Sequence, residues 1–191
     1  MIRTNPVAGA TPAPERADPV PAPDRADPVR IGDQLYDLLI RDLDAAGASY
    51  RVLDHPPEGR TEVVSALRGH SAAQAAKCLM LRVKMDKKRS QYVLAVIRGD
   101  ARLDFAALRE LLGGTYVAFA DAATAESLAR APSGAVLPLV YASEMLLVVD
   151  TSLAESSEIF FNAARLDRSL ALDTQDYLRI ARPVLARIST W

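Results

Sequence analysis

The chain has 191 residues, half of them apolar and a quarter charged, with a formal net charge of −1. This length supports one domain with a full hydrophobic core, and the composition is that of a soluble globular protein. The near-neutral balance excludes a protein that grips a long nucleic-acid tract, which carries a clear basic excess.

A single cysteine, Cys78, excludes an intramolecular disulfide, and with only His55 and His70 a Cys/His-rich metal centre is not expected. No apolar run reaches the roughly 18 residues that a bilayer span needs. The first residues lack the apolar core of a secretory signal, so a cytoplasmic location without membrane contact is expected.

Residues 1–30 differ from the rest. Pro12–Val20 reads PAPERADPV and Pro21–Val29 reads PAPDRADPV, a tandem nonapeptide repeat with one Glu-to-Asp change. Proline at this density removes backbone donors, and few large apolar side chains remain to offset the entropy of ordering. A disordered tail is expected there, with a folded domain over residues 31–191.

Ile31, Leu35, Leu38, Leu39 and Leu43 recur at helical spacing, with Gly47 placed to end the helix. Tyr50–Asp54 reads as a strand halted by His55-Pro56-Pro57. Thr61 is positioned to cap a helix through Leu67, closed by Gly69, and Ser71 to cap a short turn leading to Lys77. Cys78–Val83 and Tyr92–Ile97 form two apolar runs joined by a polar stretch, the pattern of a β-hairpin.

Asp104 then caps a helix carrying Phe105, Leu108, Leu111 and Leu112. Tyr116–Phe119 is a strand, and Asp121 opens a helix through Leu128. Met145–Val149 and Ile159–Phe161 are strands. Thr174 caps a helix with Tyr177 and Leu178 that Pro183 ends, and Val184–Ile188 adds an edge strand. Strands and helices interleave without a βαβ rhythm. The predicted fold is α/β in the α+β sense, a mixed, largely antiparallel sheet with surrounding helices.

The chain contains no phosphate-binding Gly-rich loop, nucleophile elbow or His-Glu-x-x-His. Three features could carry chemistry. Lys77 follows a capped turn and precedes an apolar strand, where it can project an ammonium into a pocket or snorkel at the strand end. The loop Ala131–Pro138 contains Gly134, free to adopt geometries closed to other residues. It can point amides at a developing oxyanion or simply connect two elements. Asn162, where a strand meets a polar segment, can edge a pocket or terminate the strand. Any RNA contact is local, with Arg82, Lys84, Lys87, Lys88, Arg89 and Arg98 as basic candidates; the same Lys87–Arg89 run equally solvates a hairpin tip.

These stretches, in this order, resemble the YbaK/prolyl-tRNA-synthetase-associated domain family of aminoacyl-tRNA deacylases. The resemblance runs from about Ser49 to Arg182. It rests on Tyr50–His55, Gly69–Lys77, Tyr92–Asp100 with Arg102-Leu-Asp104, Ser133–Pro138, Ile159–Asn162 and Leu172–Asp176. It implies a free-standing trans-editing enzyme that hydrolyses the ester of mischarged aminoacyl-tRNA, with the tRNA 3′ end as partner and an aminoacyl-tRNA synthetase as a further candidate. No metal or organic cofactor is implied.

The family's characteristic active-site lysine matches Lys77. The Gly-x-x-x-Pro loop matches Gly134–Pro138, so Lys77 and Gly134 are the expected catalytic positions. Ser133, Ala135, Pro138, Asn162 and His55 are the expected substrate-binding positions, and His55 and His70 are read as rim or structural residues rather than catalysts. Two departures bear on amino acid specificity: Cys78 stands where the family commonly has Thr, and Asn162-Ala163 where one branch has His-Pro. A non-catalytic module that binds tRNA ends or a synthetase is the competing reading. Hydrolysis of another small ester or amide is a third.

Overall fold

Alternating burial along two paired strands organises the molecule. The computed structural model describes residues 32–191; the two nonapeptides and Ile31 lie outside the described residues. Strands β2 (Ala76–Lys84) and β3 (Ser90–Arg98) form the expected hairpin in continuous antiparallel register, Ala76 opposite Arg98 through Lys84 opposite Ser90. Successive side chains point to opposite faces of a strand, so each strand feeds two cores.

Met80, Leu94 and Val96 face a large core shared with Leu35, Leu39 and Leu43. Those three come from helix α1 (Asp33–Ala45), which ends as predicted just before Gly47, at φ +63°. Leu81, Val83, Val93, Ala95 and Ile97 face a smaller core with Leu108 and Val117. These two belong to helix α3 (Phe105–Leu112), capped by Asp104, and strand β5 (Tyr116–Phe119).

The five-stranded sheet has the order β5-β2-β3-β6-β9. Strand β6 (Met145–Asp150) runs parallel to β3, and β9 (Val184–Ala186) parallel to β6, while β5 and β3 flank β2 antiparallel. A separate antiparallel sheet joins β1 (Tyr50–Asp54), β8 (Arg168–Asp173) and β7 (Glu158–Asn162), with β8 central. The shorter β4 (Arg102–Leu103) pairs with β10 (Ser189–Thr190). The mixed architecture with surrounding helices stands, but as three sheets rather than one.

Three local expectations need correction. The polar-looking segment after Asn162 contains β8, whose Leu170, Ala171 and Leu172 are fully buried between β1 and β7. Thr61 is the first residue of helix α2 (Thr61–Arg68), not its cap; Arg60 holds that position, and its N–H donates to the Glu58 carboxylate at 2.8 Å. Thr174 likewise opens helix α5 (Thr174–Ala181), and the cap is Asp173, which accepts from the N–H groups of Gln175 and Asp176. At α5 the carboxylate of Asp173, one residue before Thr174, thus answers the orphan amides of the first turn.

Candidate active site

Strand β5 covers only the Leu81–Lys84 half of β2, so the Lys77–Leu79 edge is left without a neighbouring strand on that side. Facing it is the loop that follows helix α4 (Ala122–Ala129). Two adjoining cavities occupy the gap, of about 140 Å³ and 290 Å³, sharing Cys78, Gly134 and Val136 in their walls. The smaller is bounded also by Lys77, Arg68, Phe160 and Asn162, and the larger by Ser133, Glu126 and Phe119.

Gly134 makes the loop possible. Its φ is +86°, and a Cβ there would sit 2.6 Å from the Gly59 Cα, so the two glycine backbones touch where no side chain fits. The loop is fastened on both sides. The Asn162 amide donates to the Gly134 carbonyl at 2.9 Å and to the Glu58 carbonyl at 2.8 Å. The buried Tyr177 hydroxyl donates to the Pro138 carbonyl at 2.8 Å.

Within the loop, the Ala135 N–H is spent on the Pro132 carbonyl and the Ser133 N–H on the Glu126 carboxylate. The N–H groups of Gly134 and Val136 make no hydrogen bond among the described residues, and both residues line the smaller cavity. They are the donors this loop can offer an oxyanion.

Lys77 lies on β2 between Ala76 and Cys78. Strand alternation turns its side chain toward the face of Leu79 and Leu81, where Nζ donates to the Ala101 carbonyl at 2.7 Å. Two ammonium protons remain for a ligand. Partial burial pulls its pKa below the ordinary lysine value, against the opposing pull of Glu62 and Asp100. Burial pushes the Cys78 thiol far above its usual range, so this cysteine is an inert wall of the cavity.

The expected positions therefore separate. Lys77, Gly134 and Asn162 line the smaller cavity and Ser133 the larger, whereas Ala135, Pro138 and His55 line neither. Ala135 is fully buried within the turn, and the Pro138 carbonyl accepts from the Tyr177 hydroxyl. His55 reaches the site through one intermediary: its Nε2 lies 2.5 Å from the Ser169 hydroxyl, which in turn donates to the Asn162 Oδ1 at 2.9 Å. Of the basic candidates, Arg89 and Arg98 are paired with Asp86 and Asp100. Arg82, Lys84, Lys87 and Lys88 form no ion pair among the described residues.

One site residue escaped the sequence reading. Arg68 ends helix α2, where a basic side chain ordinarily answers the helix dipole. Instead it turns inward, lines the smaller cavity and donates from Nη2 to the Asn162 Oδ1. Burial lowers its pKa to about 10. No local signal marks it, because its partner is 94 residues away.

Two unspent backbone N–H groups and a lysine on residues that line one cavity, with the Ser169–His55 pair outside its walls, suit attack by water on an already activated acyl group. Residues 55–180 match the model of the aminoacyl-tRNA editing domain, and the chain belongs to that family. It is an aminoacyl-tRNA deacylase, an ester hydrolase, which decides against the binding-only reading. The multifunctional Ser/Thr-tRNA deacylase ProXp-y of Escherichia coli is 38% identical over 155 residues, 81% of this chain and 92% of the relative. A crystal structure of a hypothetical protein superposes with a TM-score of 0.72 at 25% identity, covering 80% of this chain and 99% of that one. A protein described as a trans-editing enzyme for prolyl-tRNA synthetase shares the fold, with a TM-score of 0.68 at 18% identity over 82% of this chain and 97% of that one.

Proposed function

We propose that this chain acts in trans on tRNA mischarged with serine or threonine, and that the cleft between β2 and the Gly134 loop is where the ester is cut. The observation that carries the site is the pair of unspent N–H groups, Gly134 and Val136, in the wall of a cavity that Lys77 also lines. The choice of serine and threonine draws on the deacylase relative of 38% identity.

In this reading water attacks the ester carbonyl carbon, and the Gly134 and Val136 amides receive the oxygen as it becomes negative. The bond to the terminal ribose oxygen then breaks. That oxygen leaves with a proton, giving free amino acid and uncharged tRNA. Lys77 contributes a positive charge to the carbonyl oxygen or the terminal nucleotide. Water or a ribose hydroxyl serves as base, since the ester is activated and positioning supplies much of the rate.

Exposed Arg82, Lys84, Lys87 and Lys88 are the basic groups available to the acceptor end, a small contact in keeping with the net charge of −1. A synthetase that produces the misacylated tRNA is the proposed protein partner, and the cytoplasm, where charged tRNA is made and used, the proposed compartment. Residues 1–30 are proposed to be a tail dispensable for hydrolysis.

The test is a panel of tRNAs carrying labelled amino acids, incubated with the purified chain. Release of serine and threonine, well above that of the other amino acids, is expected. Retention of label on both overturns the proposed substrate.

A further inference from the structure

The larger cavity has an aromatic ring at its mouth that belongs to neither core. Phe119 is the last residue of β5; it lines that cavity together with Leu79, Gly134 and Val136, yet stays 59% exposed. A single apolar side chain at a surface is ordinary. This one is braced. Phe105, the first residue of α3, meets it edge to face, with ring centroids 5.4 Å apart and planes at 86°. Such a contact fixes a ring without covering it.

Strand register sets the direction in which the ring stands. Phe119 lies opposite Leu81, and cross-strand partners share a face of the sheet. Lys77, Leu79 and Leu81 alternate onto that same face of β2. The ring therefore stands on the Lys77 side of the sheet, four residues along the strand from it, about 13 Å. Gly134 and Val136, whose N–H groups are unspent, line both cavities, so the ring and the place proposed for cleavage belong to one cleft. The same elements carry two exposed cations. Arg102 directly follows Ala101, whose carbonyl holds the Lys77 ammonium, and Arg109 lies one turn beyond Phe105 on α3. Neither forms an ion pair among the described residues.

A braced ring open to solvent, with unpaired cations near it, suits a nucleobase, since every base offers a π-face and is flanked by phosphate. We infer that Phe119 stacks the terminal adenine of the tRNA 3′ end and so positions the ester of that nucleotide at the Gly134 and Val136 amides. Arg102 and Arg109 are the charges that meet the adjoining phosphates. The amino acid enters the cleft, while the base on the same ribose stays at its mouth. The inference rests on the cleft as the place of cleavage and adds the group that holds the nucleoside.

The experiment measures Kd by fluorescence anisotropy for two labelled RNA minihelices, one ending in single-stranded CCA and the other in CC. Wild type, Phe119→Leu and Phe119→Trp are compared. Neither RNA carries an amino acid, so the result does not depend on which ester is cut. The ratio of two affinities on one preparation does not depend on how much of a variant is folded. Wild type is expected to bind the CCA end roughly fivefold to a hundredfold more tightly, the range for one stacked base. Phe119→Leu keeps an apolar side chain without a π-face and is expected to bring the two affinities together; Phe119→Trp is expected to keep them apart. Phe119→Leu is also expected to lose kcat/KM for deacylation by a comparable factor. Equal wild-type affinity for the two RNAs, a ratio unchanged in Phe119→Leu, or full deacylation by that variant overturns the inference. The place of cleavage is read separately, from Lys77→Ala: wild-type turnover there removes the cleft whatever the RNA ratio. A ratio that behaves as expected, with neither serine nor threonine released from tRNA, upholds the base site and overturns only the proposed amino acids.

Discussion

The Asn162 side-chain amide donates to the Gly134 carbonyl oxygen at 2.9 Å, tying the end of β7 to the loop that borders the cleft. Its second proton goes to the Glu58 carbonyl, and its oxygen accepts from Arg68 and Ser169. Asn162→Asp keeps the acceptor and removes both donors. It is expected to cost about 1–3 kcal/mol, the usual penalty for stranding buried hydrogen-bonding groups. Deacylation is expected to fall further than the loss of folded protein explains. Urea unfolding and steady-state kinetics on one preparation check this; a stable variant with normal kcat removes Asn162 from loop positioning.

Lys77→Ala is expected to lower the deacylation rate roughly a hundredfold to a thousandfold, the scale for removing one charge-stabilising donor. A half-buried strand-end lysine with a single bond to the Ala101 carbonyl contributes little to packing, so the melting temperature is expected to change little. Wild-type turnover with an unchanged melting curve would exclude Lys77 from the reaction.

Gly134→Val tests the loop. A φ of +86° and a Cβ only 2.6 Å from Gly59 Cα mean that the substitution strains the backbone and separates two touching segments. Both stability and activity are expected to drop, the former by about 1–3 kcal/mol from the backbone conformation alone. Thermal melts and deacylation assays measure the two losses; normal values of both would place the loop away from the cleft.

Acid stability is expected to depend on Glu58. Its carboxylate receives the Arg60 side chain and the Arg60 N–H, and its pKa falls from 4.5 to about 2. The folded state thus binds fewer protons than the unfolded state between these values. The contribution is present above pH 4.5 and fades as pH drops toward 2. Glu58→Gln is expected to flatten the stability profile over that interval, read by urea unfolding at pH 6 and pH 3. An unchanged profile would show that the Arg60 contacts do not persist in solution.

Deleting residues 1–30 is expected to leave melting temperature and deacylation of a charged tRNA unchanged, because their composition supplies little to pack. A fall of many degrees on truncation would show that the segment docks on the domain.

The helices and the central hairpin were legible because their signals are local. Leu35, Leu39 and Leu43 mark one helical face, Asp104 and Asp121 accept from amides two or three residues on, and Gly47, Gly69 and Gly113 take positive φ just past helix ends. Spacing by itself left Lys77 and Gly134 each with an ordinary alternative, and only the family resemblance singled out the two residues that the fold brings to one cavity. Strand β8 was not legible. Arg168 and Asp173 bracket a short run whose character comes from being sandwiched by β1 and β7.

By itself, then, the sequence determined the helices, the central hairpin and which loop can hold a left-handed glycine, because these depend on interactions within a few residues. The tertiary structure alone decided that Arg68 and Asn162 meet, that Gly59 and Gly134 touch, and that Pro138 and Ala135 stand behind the cleft rather than in it. Each of those facts arises where chain segments far apart in sequence are pressed together. There, burial strips polar groups of water, and whichever partner the fold brings within reach decides what remains free to bind.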